Sequence, residues 1–179
     1  MAENKSLLLK ASMTFGFLMG IYWCVKYVFF MLGVSSAFMT AIYWGMTFVV
    51  PVIAYRFTRR HKLMTGGKIG FFTAWQFGIL LYTFAALLVS LEHYIFYRYL
   101  APPELLSSAL SQTIELLKQQ SGFSAEQLEA ISSLHLSPIQ MTIQGIFNNI
   151  FYGIVFSLPV AAIVSRKEET LIPPPEINN

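Results

Sequence analysis

The chain has no aspartate and a single cysteine, and charged side chains make up only 12% of its 179 residues, about half of what an average soluble domain carries. Without a second cysteine no disulfide can form within the chain, and Cys-rich metal sites are excluded. No spacing of His, Cys and carboxylates resembles a metal site. No serine stands in a nucleophile motif, and Gly66-Gly67 lacks the lysine and serine pattern of a phosphate loop. Nothing here requires a cofactor. What the sequence has instead is apolar surface, 55% hydrophobic and 16% aromatic. Since a bilayer span needs roughly 20 apolar residues, the length accommodates four spans and one modest segment outside the membrane. The expected class is an all-α polytopic membrane protein, a four-helix bundle with no room for a large soluble catalytic fold.

Hydropathy places the spans at about 11–33, 36–55, 69–91 and 139–164, in one membrane domain over 1–179. The first reads as a retained span, because the apolar run after Lys10 outlasts a signal-peptide core and no small-residue cleavage site follows. Lys5 and Lys10 precede it, Arg56, Arg59, Arg60, Lys62 and Lys68 lie between spans 2 and 3, and Arg166 and Lys167 follow span 4. By the positive-inside rule that side is cytoplasmic, with both termini and the tail 166–179 inside a cell inner membrane. The opposite side receives the turn Val34-Ser35 and the connection 92–137, which is rich in Glu. A pI near 9.0 does not indicate nucleic acid, because the basic residues flank span ends without a stacking pattern; topology and anionic headgroups account for them. Asn4-Lys5-Ser6 fits a glycosylation sequon but falls on the cytoplasmic side.

Tyr94, Tyr97 and Tyr99 ring the outer end of span 3, where amphipathic rings favour the headgroup layer. Trp23, Trp44 and Trp75 lie deeper and are expected to pack between helices. The segment 41–54 (AIYWGMTFVVPVIA) aligns with 149–162 (NIFYGIVFSLPVAA), pairing Gly45 with Gly153, Phe48 with Phe156 and Pro51 with Pro159. This internal repeat would be parallel, relating two helical hairpins by a pseudo-twofold along the membrane normal. Small residues recur at four-residue spacing: Ser12, Gly16 and Gly20; Ala37, Ala41 and Gly45; Gly70, Ala74 and Gly78; Gly145, Asn149 and Gly153. In lipid, helices associate through close backbone approach, so these stripes are the expected contacts. Pro51 and Pro159 each remove a backbone donor and should kink their helices, shaping them more than gating them.

Outside the bilayer, 103–120 reads as an amphipathic helix with Leu106, Leu110, Ile114 and Leu117 on one face, closed by Gly122. Ser124 and Gln127 form a capping box stapled by Phe123 and Leu128, and Ser137 and Gln140 repeat it with Leu136 and Met141 to start span 4. The extracytoplasmic helical hairpin over 101–137 is read as a lid, with partner docking as the alternative.

A possible intramembrane polar site comprises Lys26, Glu92, Gln76, Asn148 and Asn149. A lone charge at depth needs a partner or must snorkel, so Lys26 either pairs with Glu92 or reaches headgroups. Asn149 falls on the small-residue stripe, and Asn148 faces a crevice or Gln76. Glu92 and His93, beside Tyr94, Tyr97 and Arg98, are the one cluster with acid, base and cation together, but sequence neighbours on a helix diverge, so interface anchoring is the simpler reading.

The run Gly-Lys-Ile-Gly-Phe-Phe-x-Ala-Trp (67–75), the Tyr-rich exit of span 3 into Pro102-Pro103-Glu104, and Pro-Val-Ala-Ala-Ile before Arg166-Lys167 resemble the bacterial family called domain of unknown function 4199. The resemblance implies a small inner-membrane protein of Bacteroidetes-type bacteria with no catalytic residues to carry over. It also points to an accessory role beside a polyprenyl-phosphate glycosyltransferase. The expectation is a non-enzymatic scaffold that holds a membrane partner, in contact with lipids and with a protein partner or further copies of itself. The alternative is a small oligomeric transporter or lipid-handling protein, and an enzyme acting near Glu92 and His93 is the least favoured class.

Overall fold

The computed structural model describes residues 2–33, 36–102, 108, 111, 114–116, 118, 124, 126, 127 and 137–166. All regular structure among them is helical. Helices α1 (Ala2–Gly33), α2 (Ala37–Met64), α3 (Phe71–Ile95) and α4 (Pro138–Arg166) are each long and apolar enough to cross a membrane. The turn Val34-Ser35, the staples of Phe123, Leu128 and Leu136, most of the apolar face over 103–120, Gly122, and the tail beyond Arg166 lie outside the described residues.

The chain divides into two compact units, Met1–Val89 with Ile146–Asn179, and Ser90–Gly145. In the first, α1 supplies a buried stripe of Ala11, Phe15, Met19 and Trp23, which meets Phe77, Leu81, Ala85 and Val89 of α3 and Val50 and Ala54 of α2. Close approach is made by glycine. A Cβ on Gly16 would lie 2.6 Å from Phe84 Cβ, one on Gly20 would lie 2.8 Å from Leu88 Cδ2, and one on Gly153 would lie 2.5 Å from Tyr82 Cβ. One on Gly78 would collide with Ser157. The expected stripes on α1 and α4 therefore make contacts, as do Ala74 and Gly78 of the α3 stripe, whereas Gly70, just before α3, is exposed and a Cβ there meets nothing within 4 Å among the described residues.

The stripe on α2 does not. Ala37, Ala41 and Gly45 are exposed, and a Cβ on Gly45 meets nothing within 4 Å among the described residues. Instead α2 packs through Val50, Ala54, Thr58, His61 and Lys62. Gly45 stands five positions from Val50, about 140° round a helix of 3.6 residues per turn, and small size alone could not say which face would turn inward.

α2 also runs well beyond the apolar stretch that ends at Tyr55, because hydropathy stops at Arg56 while the backbone meets no breaker until Gly66. There the helix closes in a Schellman turn: Gly67 N–H donates to Lys62 O at 3.0 Å and Gly66 N–H to Leu63 O at 3.3 Å. Gly66 and Gly67 have φ of 90° and 79°, left-handed values that cost other residues energy. Lys62, 1% exposed, sends its ammonium to Val164 O at 2.9 Å, tying α2 to the last turn of α4. His61 stacks on Phe77 with centroids 4.5 Å apart. Both α2 and α4 continue through Pro51 and Pro159.

In the second unit α3 ends in a π-helical turn, Phe96–Leu100, where Ala101 N–H donates to Phe96 O at 2.8 Å. Both capping boxes form. Ser124 N–H donates to Gln127 Oε1 at 2.9 Å and Gln127 N–H returns to Ser124 Oγ at 3.2 Å; the Ser137 and Gln140 pair repeats this at 2.8 and 3.3 Å.

Candidate functional site

Lys26 is 5% exposed, in the interior of α1. Its Nζ sits 4.8 Å from the ring centroid of Tyr27, 5.1 Å from Tyr43 and 5.4 Å from Trp23. The first and third rings come from α1, where spacings of one and three residues set them beside Lys26, and Tyr43 arrives from α2. Each such contact stabilises a cation by ~0.5–2 kcal/mol, while a charge at membrane depth costs at least ~2.5 kcal/mol. Three rings together offset a cost that one would not. The aromatic cage was not foreseen, since sequence reasoning sought a carboxylate or a headgroup. The visible signal was the clustering of Trp23 and Tyr27 around Lys26.

The cage forms one wall of a cavity of about 390 Å³ within the first unit, inside the ~300–1,000 Å³ range of small-molecule sites. Trp23, Lys26 and Tyr27 line it from α1, Tyr82 from α3, Tyr43, Thr47, Phe48 and Pro51 among others from α2, and Asn149, Tyr152 and Phe156 from α4. Trp23 and Tyr82, each 2% exposed, meet edge to face with centroids 5.6 Å apart. Trp23 Nε1 and the Tyr82 hydroxyl are buried without a hydrogen-bond partner among the described residues. Trp44, Phe48, Tyr152 and Phe156 of the lining are 55, 76, 51 and 44% exposed. All four belong to α2 and α4, so the mouth of the cavity is the seam between those helices. A second groove of about 280 Å³ continues along the seam, lined by Pro51, Tyr55, Phe156, Pro159 and Ile163 among others, and shares Pro51 and Phe156 with the first.

Of the five expected polar-site residues, the structure brings Lys26 and Asn149 to one cavity. Gln76 and Asn148 are exposed and do not line it. Their face was misjudged because an isolated amide on an apolar helix has no periodic partner to fix which way it turns. Glu92 is half-buried in the second unit, where His93 is buried, its Nδ1 3.2 Å from where a Cβ on Gly145 would stand. Trp23 packs inside as expected. Trp44 is at the cavity rim instead, and Trp75 donates its indole N–H to Ile154 O at 3.0 Å.

The sequence matches the family described as protein of unknown function DUF4199 over residues 14–166. The chain belongs to the DUF4199 family. That match opens within α1 and closes on the last residue of α4, so it takes in every residue of the cavity and seam. Comparison with curated proteins and with solved structures gave no match. Among the described residues no group of His, Cys and carboxylate side chains is arranged to hold a metal. A buried ammonium, aromatic walls and a mouth between exposed aromatic side chains suit binding of an amphiphile.

Proposed function

We propose that this DUF4199 protein is a lipid-handling membrane protein that binds an amphiphile in the cavity lined by all four helices and performs no chemistry of its own. The observation that carries the reading is the exposed aromatic rim on α2 and α4: a pocket whose mouth opens on a membrane-facing seam is filled from the lipid phase. The protein sits in a bacterial inner membrane with both termini cytoplasmic, supported by the basic residues at Lys10, Arg56–Lys68 and Arg166. Presentation of the bound molecule to a membrane partner would join this reading to the accessory role that the family resemblance implied.

Extraction in mild detergent followed by mass spectrometry of bound lipids tests it. A near-stoichiometric amphiphile is expected with the native chain and little with Asn149→Trp, which fills the cavity. Equal lipid content in both would remove the cavity from the account. A stoichiometric protein partner with no bound amphiphile would favour the scaffold reading.

A further inference from the structure

Resting on the reading above, we infer that the ligand is a single-chain amphiphile with an acid head, a carboxylate or a phosphate monoester. Its head would sit at Lys26 and its chain along the seam of α2 and α4. Three observations meet here. The first is charge. The rings around Lys26 stabilise its ammonium but bring no counter-charge, so an anion entering the cavity gains a charge-assisted hydrogen bond in a medium that solvates both groups poorly.

The second is polarity. Two residues of the lining have buried polar groups with no hydrogen-bond partner among the described residues, the indole N–H of Trp23 and the hydroxyl of Tyr82. Buried donors without partners are costly and uncommon in folded proteins. A small rotation of either side chain would turn its donor to an acceptor-rich head in the cavity, whereas a cationic or choline-type head would be repelled by the ammonium.

The third is shape. The cavity and the second groove share Pro51 and Phe156, forming one track from Asn149 to Ile163. At 1.5 Å per residue this is about 21 Å, some two thirds of a hydrocarbon core of ~30 Å. The two parts of the track, about 390 and 280 Å³, together stay within the ~300–1,000 Å³ of a single small-molecule site, which favours one chain over two. Pro51 and Pro159, equivalent positions of the two aligned segments, both line the second groove; a proline ring displaces the preceding turn of its own helix, which keeps the seam open.

The test uses the full chain in nanodiscs of zwitterionic lipid and four probes: hexadecanoate, hexadecyl phosphate, hexadecanol and dihexadecanoyl phosphatidate. Binding is read by displacement of a fluorescent fatty acid. The two single-chain acids should bind about ten- to hundredfold more tightly than hexadecanol, the worth of one charge-assisted hydrogen bond. Lys26→Met should abolish that preference by weakening the two acids far more than hexadecanol, and Lys26→Arg should keep most of it. Tyr82→Phe, which preserves shape and fold, should weaken acid binding about three- to tenfold. If Lys26→Met fails to fold, the Arg and Tyr82 variants decide. Hexadecanol binding as tightly as hexadecanoate would overturn the acid head and leave the amphiphile reading standing. Phosphatidate binding as tightly as hexadecyl phosphate would overturn the single chain, and no binding of any probe would overturn both.

Discussion

An ammonium in a membrane interior persists only where something nearby lowers its cost, and at Lys26 three rings do so. Glycine acts at the same scale by omission. Gly153 allows Tyr82 to pack on α4, and a side chain there meets the ring's Cβ at 2.5 Å. Gly153→Leu should therefore lower stability by about 1–3 kcal/mol, the usual cost of overpacking, while Gly45→Leu, at the aligned position but facing open space, should be near neutral. Thermal unfolding in detergent measures both. Equal losses would mean that Gly45 has a neighbour the bundle does not show. Lys62 offers a third case: Lys62→Met removes the bond to Val164 O and should cost ~1.5–3 kcal/mol, as charged hydrogen bonds do, seen as earlier unfolding of the intact chain.

At the scale of the element, each helix carries two kinds of information, and only one is plain in the residue string. Length and apolarity marked all four spans, and the Ser-x-x-Gln pattern marked both capping boxes, because each depends on near neighbours in sequence. Which face of α2 turns inward depends on α1, α3 and α4. The face built on Val50, Ala54 and Thr58 is no more apolar than the opposite one bearing Phe48 and Val52, and that is why Ala37, Ala41 and Gly45 misled. The cavity was hidden for the same reason: Lys26, Tyr43, Tyr82 and Asn149 come from four helices and meet only when these pack. Pro51 and Pro159 lie inside continuous helices, and the consequence expected of them for the seam is testable. Pro51→Ala with Pro159→Ala should narrow the seam and weaken binding of a sixteen-carbon acid more than that of an eight-carbon one, measured by the same displacement assay. Equal weakening of both chain lengths would separate the prolines from the chain track.

At the scale of the whole molecule, the proposed orientation rests on charge. Cysteines placed at Thr65 and Ser108, in a chain with Cys24 replaced by Ala, should react oppositely with an impermeant maleimide applied to intact cells: Ser108→Cys labels from outside, Thr65→Cys only after lysis. Labelling of Thr65→Cys from outside would contradict this orientation, and with Ser108→Cys then protected until lysis the basic side would be reversed. A bundle so oriented holds an amphiphile only if the lipid phase reaches its interior, and Trp23 reports this directly. It is 2% exposed and lines the cavity, whereas Trp44 is 55% exposed on the rim. The decisive measurement is fluorescence of a chain whose only tryptophan is Trp23, titrated with a fatty acid brominated along its chain, beside a chain retaining only Trp44 as the lipid-exposed control. Saturable quenching of Trp23, abolished by Asn149→Phe, which fills the cavity without adding a second tryptophan, is the expected result. Quenching of Trp44 with Trp23 left unchanged would mean that lipid reaches the rim and not the cavity, and would contradict the account.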